Sequence, residues 1–327
     1  MSFKALKIFS EKPNDLKIVD LEISELTDGD VVIKSEFSSV NYKDALAVTG
    51  QGKILRQFPL IPGIDVSGEI VESSSAKFKV GDKVIVNGSG LGENRDGGFS
   101  EYVRVPADIV ISLPSGLSTR EAMTIGTAGF TAALCLKRME TNGQQPHQGP
   151  IIVTGASGGV GSIAVQILSK KGYEVVAVSS KDSSVEKLKK YGAKEVVKPE
   201  NLNLGHRPLE KARWAGAIDN VGGELLSGIA RHIDLWGNIS CVGLADSPVL
   251  NTTVMPLILR GVSFLGASSA NCPHSLRDEI WQDLGADWKP SYLNDIINSE
   301  LSLDDITNYS EELLSRKKSG RALVKFQ

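Results

Sequence analysis

Residues 151–161 have the sequence Ile-Ile-Val-Thr-Gly-Ala-Ser-Gly-Gly-Val-Gly, in which an apolar run passes through small residues into a helical pattern. This order suits a dinucleotide pyrophosphate, because small residues let the backbone approach the phosphates and the helix start offers N–H groups. The usual spacing is Gly-x-Gly-x-x-Gly, and here Ala156 holds the first place, followed by Gly158 and Gly161. The stretch therefore predicts a dinucleotide-binding turn. A glycine-rich turn that only packs a helix on a strand is the alternative.

Behind this turn the chain alternates apolar runs with helical segments. The predicted strands are Pro150–Thr154, Glu174–Ser179, Glu195–Val197, Trp214–Asp219, Asn238–Val242 and Val262–Leu265, and the predicted helices are Val160–Lys171 and Ser183–Tyr191. Such alternation is typical of a parallel sheet with helices on both faces. The predicted fold class is therefore α/β, with a doubly wound parallel sheet of the Rossmann type.

The end of the second of these strands indicates which dinucleotide binds. An NAD enzyme usually carries Asp or Glu there, to bond the ribose 2′-OH. This chain has Ser179, Ser180 and Lys181, whose hydroxyls and ammonium could bind a 2′-phosphate. Asp182 would oppose an anion, but its place predicts the start of the next helix. The segment favours NADPH, and a solvated surface lysine is the alternative.

The first third of the chain follows a different pattern. Short β-rich runs, separated by Gly, Pro, Asn and Asp turns, predict a compact β-barrel with strands at Asp30–Phe37, Gly68–Glu72, Asp82–Asn87 and Phe99–Val105. Helical spacing follows over Thr119–Arg138. Near the end, Asn308–Arg316 is predicted to be a helix and Gly320–Phe326 a strand. That strand alternates like those of the first third, and we expect it to return to them.

Length and composition limit the domain number and the function. The 327 residues exceed the roughly 250–300 at which one hydrophobic core stops growing. We therefore predict a first domain of residues 1–122, completed by 305–327, and a second domain of residues 123–304. The net charge of −3 does not indicate binding to nucleic acid or to an anionic membrane, and no apolar run is long enough to span a bilayer. Three widely spaced cysteines and a strand-like N-terminus predict a cytoplasmic protein.

Metal ligands are missing where a zinc dehydrogenase would need them. The segment Met1–Ala133 contains no Cys and no His, and the four histidines of the chain lie later and apart. Zinc requires a cluster of Cys, His and acidic ligands, so we predict neither a catalytic nor a structural zinc. The same absence leaves no Ser-His-Asp or Cys-His arrangement for nucleophilic catalysis.

Several motifs together resemble the medium-chain dehydrogenase/reductase superfamily, in its zinc-free, quinone-reductase-like branch. They are Val40–Asp44, Pro62–Gly68, Val80–Val84, Gly126–Ala132 and Thr154–Gly161. Narrower segments resemble the acryloyl-CoA reductase subfamily, namely Gly88–Asn94, Trp214–Asp219, Thr253–Arg260 and Gly320–Lys325. The resemblance covers essentially the whole chain. It implies a GroES-like β-barrel domain, a Rossmann domain that binds NADPH, and a homodimer joined through the edge strand Val262–Leu265.

The resemblance also implies contacts with cofactor and substrate. The residues that would contact NADPH are Tyr42, Ser157, Gly158, Gly159, Val160, Ser179, Ser180, Lys181, Leu244, Ile258, Ser269 and Arg316. Arg321 would bind a phosphate of coenzyme A. The run Arg316–Lys318 is a weaker candidate for phosphate, because cations at a helix end more often complement the helix dipole.

Reduction of an enoyl thioester needs no metal, but it needs donors. Hydride adds to the β-carbon, the resulting enolate needs hydrogen bonds, and the α-carbon then needs a proton. Tyr42 is the first candidate for this donor, and a tyrosine that only packs is the alternative. Asn41 could donate its amide to the substrate carbonyl or to the cofactor. Lys43 and Asp44 are expected to form a local ion pair, and Asp65 to be structural.

Three functions stay open at this point. The first is an acryloyl-CoA reductase, which forms propionyl-CoA with NADPH. The second is an NADPH-dependent quinone or α,β-unsaturated carbonyl reductase, which needs no contact with coenzyme A. The third is a non-catalytic NADPH-binding protein. In the first two the partner is a small molecule, an acyl-CoA or an enone.

Overall fold

The computed structural model describes residues 2–13 and 15–326. The chain divides into two compact units. The first contains Met1–Thr127, Ser269–Ala286 and Leu293–Gln327, and the second contains Ala128–Ser268 and Asp287–Tyr292. In the described part of the chain, no helix combines the length and the apolar character that crossing a membrane requires.

The N-terminal part of the first unit is built mainly from short strands. Its elements are β1 (Ser2–Ile8), β2 (Leu16–Glu22), β3 (Val31–Val40), α1 (Tyr42–Val48), β4 (Asp65–Ser73), β5 (Lys83–Asn87), β6 (Tyr102–Val105) and β7 (Ile111–Ser112). β-branched residues on neighbouring strands form a buried cluster, among them Ile33, Val66, Ile70 and Val84. These side chains pack well on a pleated surface, which explains why this third of the chain prefers strands.

Helix α2 (Thr119–Thr141) follows, with a break at Gly126, whose φ of 50° and ψ of −160° are not helical. The second unit then alternates strands and helices. Its elements are β8 (Ile151–Val153), α3 (Gly159–Lys170), β9 (Val175–Val178), α4 (Val185–Lys190), β10 (Glu195–Val197), β11 (Trp214–Asp219), α5 (Gly223–Ala230), β12 (Ile233–Cys241), α6 (Met255–Arg260) and β13 (Ser263–Gly266). The parallel strands have the order β10-β9-β8-β11-β12-β13, so β13 is an edge strand as predicted. This is the Rossmann order, and the predicted fold class is confirmed.

The chain then returns to the first unit. Its last elements are α7 (His274–Gly285), α8 (Leu293–Ile296), β14 (Ile297–Leu301), α9 (Ile306–Leu314) and β15 (Arg321–Lys325). β15 pairs antiparallel with β3, where Ala322 lies opposite Val40. The sheet has the order β14-β15-β3-β4-β5-β7, and β6 also pairs with β3. The last strand therefore joins the N-terminal strands, as its alternation predicts.

Some predicted elements differ from the structure. The predicted strand over Phe99–Val105 is wrong in its first residues, because the strand begins only at Tyr102. The last helix lies two residues earlier than predicted, and Arg316 has a φ of 61° that ends any helix. Helices α1, α5, α6, α7 and α8 were not predicted.

Helix α7 also bears on the predicted domain borders. Arg277 Nη1 donates to the carbonyl oxygen of Asn87 at 2.6 Å, and Trp281 Nε1 donates to Asn87 Oδ1 at 2.9 Å. These bonds attach α7 to β5, so a segment inside residues 123–304 packs with the first unit. The borders of independently folding domains stay a prediction.

Candidate functional site

The predicted phosphate-binding turn lies between β8 and α3. Gly155 has a φ of 58°, in the left-handed region that favours glycine. A Cβ on Gly161 would lie 2.4 Å from the carbonyl oxygen of Gly155 and 2.6 Å from the Cα of Ala156, so only glycine fits there. The residue before the helix is Gly158, which has no side chain to cover the helix start, and residues 157–160 are half-buried. The first N–H groups of a 12-residue helix thus remain for an anion.

A buried threonine–aspartate contact supports this turn, and the sequence analysis missed it. Thr154 Oγ1 donates to Asp219 Oδ1 at 2.7 Å, and Asn220 Nδ2 donates to the carbonyl oxygen of Thr154 at 2.7 Å. The backbone N–H of Gly222 donates to Asp219 Oδ2 at 2.7 Å. Burial raises the pKa of Asp219, and the hydrogen bonds from Thr154 and Gly222 counter the rise. Polar residues at the ends of neighbouring parallel strands, here β8 and β11, are the signal that could have revealed the contact.

The segment after β9 lies beside the same turn. Ser179 Oγ donates to Ser157 Oγ at 3.2 Å and lies 2.9 Å from Ser184 Oγ. The backbone N–H of Lys181 donates to Ser179 Oγ at 3.2 Å. Ser180 is exposed and Lys181 is half-buried, and that burial lowers the pKa of the Lys181 ammonium. The structure therefore brings the predicted residues Ser157, Ser179 and Lys181 together.

The carboxylate that follows this segment is neutralised by a lysine. Asp182 starts a short 3-10 helix over Asp182–Ser184, which fits its predicted place at a helix start. Its carboxylate lies 2.9 Å from the Nζ of Lys198, a residue that the sequence analysis did not single out. Lys198 follows β10, the strand beside β9. The hydrogen bond and the charge of Asp182 raise the pKa of Lys198.

The other predicted cofactor residues belong to both units. Leu244 and Ile258 lie in the second unit, where both are exposed. Ser269 and Arg316 lie in the first unit, where Ser269 is half-buried and Arg316 is exposed just after α9. Their contacts with a cofactor stay predictions.

The first unit contains a buried polar cluster around Asp65, which we call the Asp65 cluster. Its members are Ser39, Asn41, Asp44, Asp65, Thr127 and Arg321. Asp65 Oδ2 accepts hydrogen bonds from Ser39 Oγ at 2.6 Å and from Asn41 Nδ2 at 2.8 Å. The backbone N–H of Thr127 donates to Oδ2 at 2.8 Å and Thr127 Oγ1 donates to Oδ1 at 2.6 Å. From the start of β4, this carboxylate joins β3 and α2.

The break in α2 fits against this cluster. A Cβ on Gly126 would lie 2.5 Å from Arg321 Nη2, 2.7 Å from Asp65 Oδ2 and 2.8 Å from Ser39 Oγ. Any side chain at residue 126 would clash with these atoms. Because Gly126 has none, α2 approaches the cluster closely enough for Thr127 to bind Asp65.

The geometry of Asn41 does not fit its predicted role as a donor to substrate. Asn41 Nδ2 donates to Asp65 Oδ2 at 2.8 Å and to Asp44 Oδ2 at 3.1 Å, and its Oδ1 accepts from Arg321 Nη1 at 3.0 Å. Both amide hydrogens thus have acceptors inside the protein, and the residue is only 8% exposed. Asn41 connects the two carboxylates instead.

Arg321 likewise does not fit the predicted contact with coenzyme A. The residue is 3% exposed, and burial lowers the pKa of its guanidinium. Its Nε donates to the carbonyl oxygen of Thr124 at 3.0 Å, and its Nη2 donates to Ser39 Oγ at 2.8 Å. The guanidinium therefore holds the Asp65 cluster together from β15 and does not face solvent.

Asp44 fixes the start of α1. Its Oδ2 accepts the backbone N–H of Asn41 at 2.8 Å, and its Oδ1 accepts the backbone N–H of Ile64 at 2.9 Å. Burial raises the pKa of Asp44 to about 7, and repulsion by Asp65 adds to the rise. The predicted ion pair between Lys43 and Asp44 is wrong, because neighbouring helix residues point in different directions. Lys43 pairs with Glu93 at 2.6 Å.

Tyr42 is the accessible residue of this region. It is the first residue of α1 and is 46% exposed. The members of the Asp65 cluster are buried, except Thr127, which is half-buried. Of the two predicted catalytic residues, Tyr42 alone has the exposure that contact with a substrate requires.

The residues present fit a phosphorylated dinucleotide. The absence of room for a Cβ at Gly161 and the start of α3, which no side chain of Gly158 covers, suit a diphosphate. The Ser179–Lys181 segment suits a 2′-phosphate. In residues 2–13 and 15–326, no three His, Cys, Asp or Glu side chains come together in a group that could hold a metal ion.

Comparisons with known proteins give the class. The model of the alcohol dehydrogenase GroES-like domain matches residues 27–115, and that of the zinc-binding dehydrogenase family matches residues 159–284. An Escherichia coli (strain K12) protein, provisionally named acrylyl-CoA reductase AcuI, is 47% identical over 93% of this chain and 94% of its own. The acrylyl-CoA reductase AcuI of Ruegeria pomeroyi is 39% identical over 94% and 93%. YhfP of Bacillus subtilis, provisionally named a quinone oxidoreductase, is 42% identical over 99% and 98%.

Solved structures agree with this result. The yhdH oxidoreductase of Salmonella enterica in complex with NADP is 43% identical, with a TM-score of 0.95 over 99% of this chain and 100% of that one. Bacillus subtilis yhfP with NAD bound is 40% identical, with a TM-score of 0.96 over 100% of both chains. The fold and the matched families define an oxidoreductase with a GroES-like and a Rossmann part, so the predicted enzyme class is confirmed. The chain belongs to the medium-chain dehydrogenase/reductase superfamily, in its zinc-free, quinone-reductase-like branch with the acryloyl-CoA reductases.

Proposed function

We propose that this protein reduces the carbon–carbon double bond of acryloyl-CoA to form propionyl-CoA, with NADPH as the reductant. Two relatives that carry the name acrylyl-CoA reductase support the substrate. The observation that carries the proposal is Tyr42, a phenol that is 46% exposed at the start of α1 beside the buried Asp65 cluster. A donor of this kind is what an enolate requires.

The cofactor is NADPH. The Salmonella enterica relative holds NADP and the Bacillus subtilis relative holds NAD. The preference for NADPH therefore rests on the residues of this chain. Hydroxyls of Ser157 and Ser179 lie beside Lys181, and the nearby carboxylate of Asp182 is paired with Lys198. Within the described residues 178–182 at the end of β9, no carboxylate is left unpaired to take a ribose 2′-OH or to repel a 2′-phosphate.

Besides binding its ligands, the protein has to stabilise the negative charge that develops on the substrate. When bound, NADPH supplies the hydride that forms the new C–H bond at the β-carbon. The electron pair of the double bond moves toward the thioester carbonyl, so negative charge develops on its oxygen and on the α-carbon. The Tyr42 hydroxyl stabilises this charge by a hydrogen bond, and a proton at the α-carbon completes the reduction.

A quinone or α,β-unsaturated carbonyl reductase is the second candidate. The observation that favours it is the burial of Arg321, which removes the predicted ligand for a phosphate of coenzyme A. The provisional name of YhfP agrees with this alternative. The same cofactor site and the same tyrosine would then act on an acceptor without coenzyme A.

One set of kinetic measurements separates these functions. NADPH oxidation is followed with acryloyl-CoA, with crotonyl-CoA and with a simple quinone, and each series is repeated with NADH. We expect the highest kcat/KM for acryloyl-CoA with NADPH. Rapid turnover of the quinone without turnover of acryloyl-CoA would favour the second candidate. Tight binding of NADPH without turnover of any acceptor would favour a non-catalytic protein.

We also propose that the protein is a cytoplasmic homodimer joined through β13. This strand lies at the edge of the parallel sheet, with the side chain of Phe264 half-buried. Neighbouring α6 exposes Leu257 and Leu259. Analytical ultracentrifugation of the natural protein and of a Phe264→Glu variant tests the dimer, since we expect the variant to dissociate. A natural protein that sediments as a monomer would contradict the proposal.

A further inference from the structure

The carboxylate of Asp44 accepts hydrogen bonds from the start of its own helix, α1, and also from Ile64, which lies outside that helix. The carboxylate is 1% exposed and accepts three hydrogen bonds. Two come from the backbone and side chain of Asn41, at the start of α1, and one comes from the backbone of Ile64, just before β4. The first turn of α1 is thus tied to the segment that enters the Asp65 cluster, and Tyr42 is the first residue of that turn.

The charges around Asp44 do not balance. Asp44 and Asp65 are both buried, and the guanidinium of Arg321 on β15, which lies 3.9 Å from Asp65, is the cation of the cluster. Arg277 on α7 interacts with Asp65, and Tyr309 on α9 interacts with Arg321. Both guanidinium groups act on Asp65, whereas Asp44 is buried and is repelled by Asp65, and this penalises the negative charge of Asp44.

We propose that Asp44 is a positioning residue for Tyr42 in the reduction of the acceptor. When ionised, its two oxygens hold the N–H groups of Asn41 and Ile64 at the same time, which fixes the direction of the first turn of α1. That direction sets where the Tyr42 hydroxyl is presented. The inference rests on the proposed function in one respect, namely that Tyr42 is the donor.

Protonation of Asp44 weakens this arrangement. A carboxylic acid carries a hydrogen on one oxygen, so one of the two N–H groups loses a full acceptor. Burial and the neighbouring Asp65 raise the pKa of Asp44 to about 7, so the change falls in the neutral range. We expect kcat to fall by up to about tenfold between about pH 8 and about pH 6, the equivalent of one lost hydrogen bond.

A double-mutant cycle tests whether Asp44 acts through Tyr42. Asp44→Asn keeps one acceptor oxygen but places an amide donor against one of the N–H groups of Asn41 and Ile64, and we expect kcat to fall about tenfold with the Kd for NADPH unchanged. In a Tyr42→Phe background, Asp44→Asn should cause no further loss, because no hydroxyl is left to position. Losses that multiply in the double variant would overturn the proposal.

Lys43 offers a matched control on the same helical turn. It pairs with Glu93 at 2.6 Å and is not bonded to the Asp65 cluster in the described contacts. Lys43→Met should leave kcat and its pH dependence unchanged. If Asp44→Asn does not fold, the pH profiles of the natural protein and of Tyr42→Phe decide. A fall in kcat toward low pH that occurs in the natural protein but not in Tyr42→Phe supports the proposal. The same fall in both proteins overturns it.

Fluorine NMR of protein labelled with fluorotyrosine gives a readout that needs no acceptor. The Tyr42 signal is assigned by its loss in Tyr42→Phe. We expect this signal to shift with a midpoint near pH 7 in the natural protein and in Lys43→Met, and to stay flat in Asp44→Asn. A flat signal in the natural protein, or the same titration in Asp44→Asn, would overturn the proposal. Absence of enoyl thioester turnover would instead refute the proposed function and leave this signal to decide on Asp44.

Discussion

Replacing Gly161 by alanine perturbs the phosphate-binding turn where it is tightest. The added Cβ would lie 2.4 Å from the carbonyl oxygen of Gly155 and 2.6 Å from the Cα of Ala156, which are backbone atoms that cannot rotate away. Insertion of a methyl group into such a place costs about 1–3 kcal/mol of stability. The start of α3 must also move relative to the turn. A lost hydrogen bond to a charged phosphate costs about 1.5–3 kcal/mol, so we expect a ten- to about hundredfold weaker Kd for NADPH.

The assay is a fluorescence titration with NADPH, combined with denaturant unfolding of the same samples. Gly266→Ala on β13 is the control, because a Cβ there meets nothing within 4 Å. We expect the control to bind NADPH as the natural protein does. A Gly161→Ala variant with natural Kd and natural free energy of unfolding would refute the tight approach of α3 to the turn and the binding site inferred from it.

Three further predictions concern single side chains. Tyr42→Phe should lower kcat by about a hundredfold with little change in the Kd for NADPH, and an unchanged kcat in steady-state kinetics would exclude the hydroxyl as the donor. Lys198→Met should weaken NADPH about fivefold at low salt but leave NADH unaffected, because Asp182 then repels the 2′-phosphate. Adding Asp182→Asn should restore the Kd, and failure to do so would show that Lys198 acts in another way. The folded protein keeps the Asp44 proton up to about pH 7, whereas the unfolded chain releases it near 3.8. The free energy of unfolding should therefore fall between about pH 4 and about pH 7, by on the order of 4 kcal/mol from this group. Urea unfolding of Asp44→Asn should show a flatter dependence, and equal slopes in both proteins would contradict the shift.

Local patterns predict the parallel strands of the second unit and its first two helices, and they fail where burial depends on residues distant in the sequence. The turn between β8 and α3 is visible in the sequence, because an apolar run, small residues and a helical pattern follow each other directly. Helix α7 is not visible, because its buried face includes Arg277 among apolar residues, and that burial depends on Asn87 of β5. A buried cation interrupts the apolar periodicity by which helices are predicted.

The Asp65 cluster shows the same limit for the site. Arg321 and Asn41 bond at 3.0 Å although they are 280 residues apart, so no local pattern could show that each satisfies the other. Both residues were predicted to contact substrate or cofactor because their types can do so, and burial decides against it. Tyr42 stays a candidate because it is 46% exposed at the start of α1.

The binding of a dinucleotide at the start of α3 is tested most directly by a crystal structure of the protein with NADPH. We expect the diphosphate within hydrogen-bond distance of the N–H groups of residues 159 and 160, and the 2′-phosphate against Ser179 and Lys181. A cofactor bound elsewhere, or a side chain that fills the space before Gly158, would contradict the account.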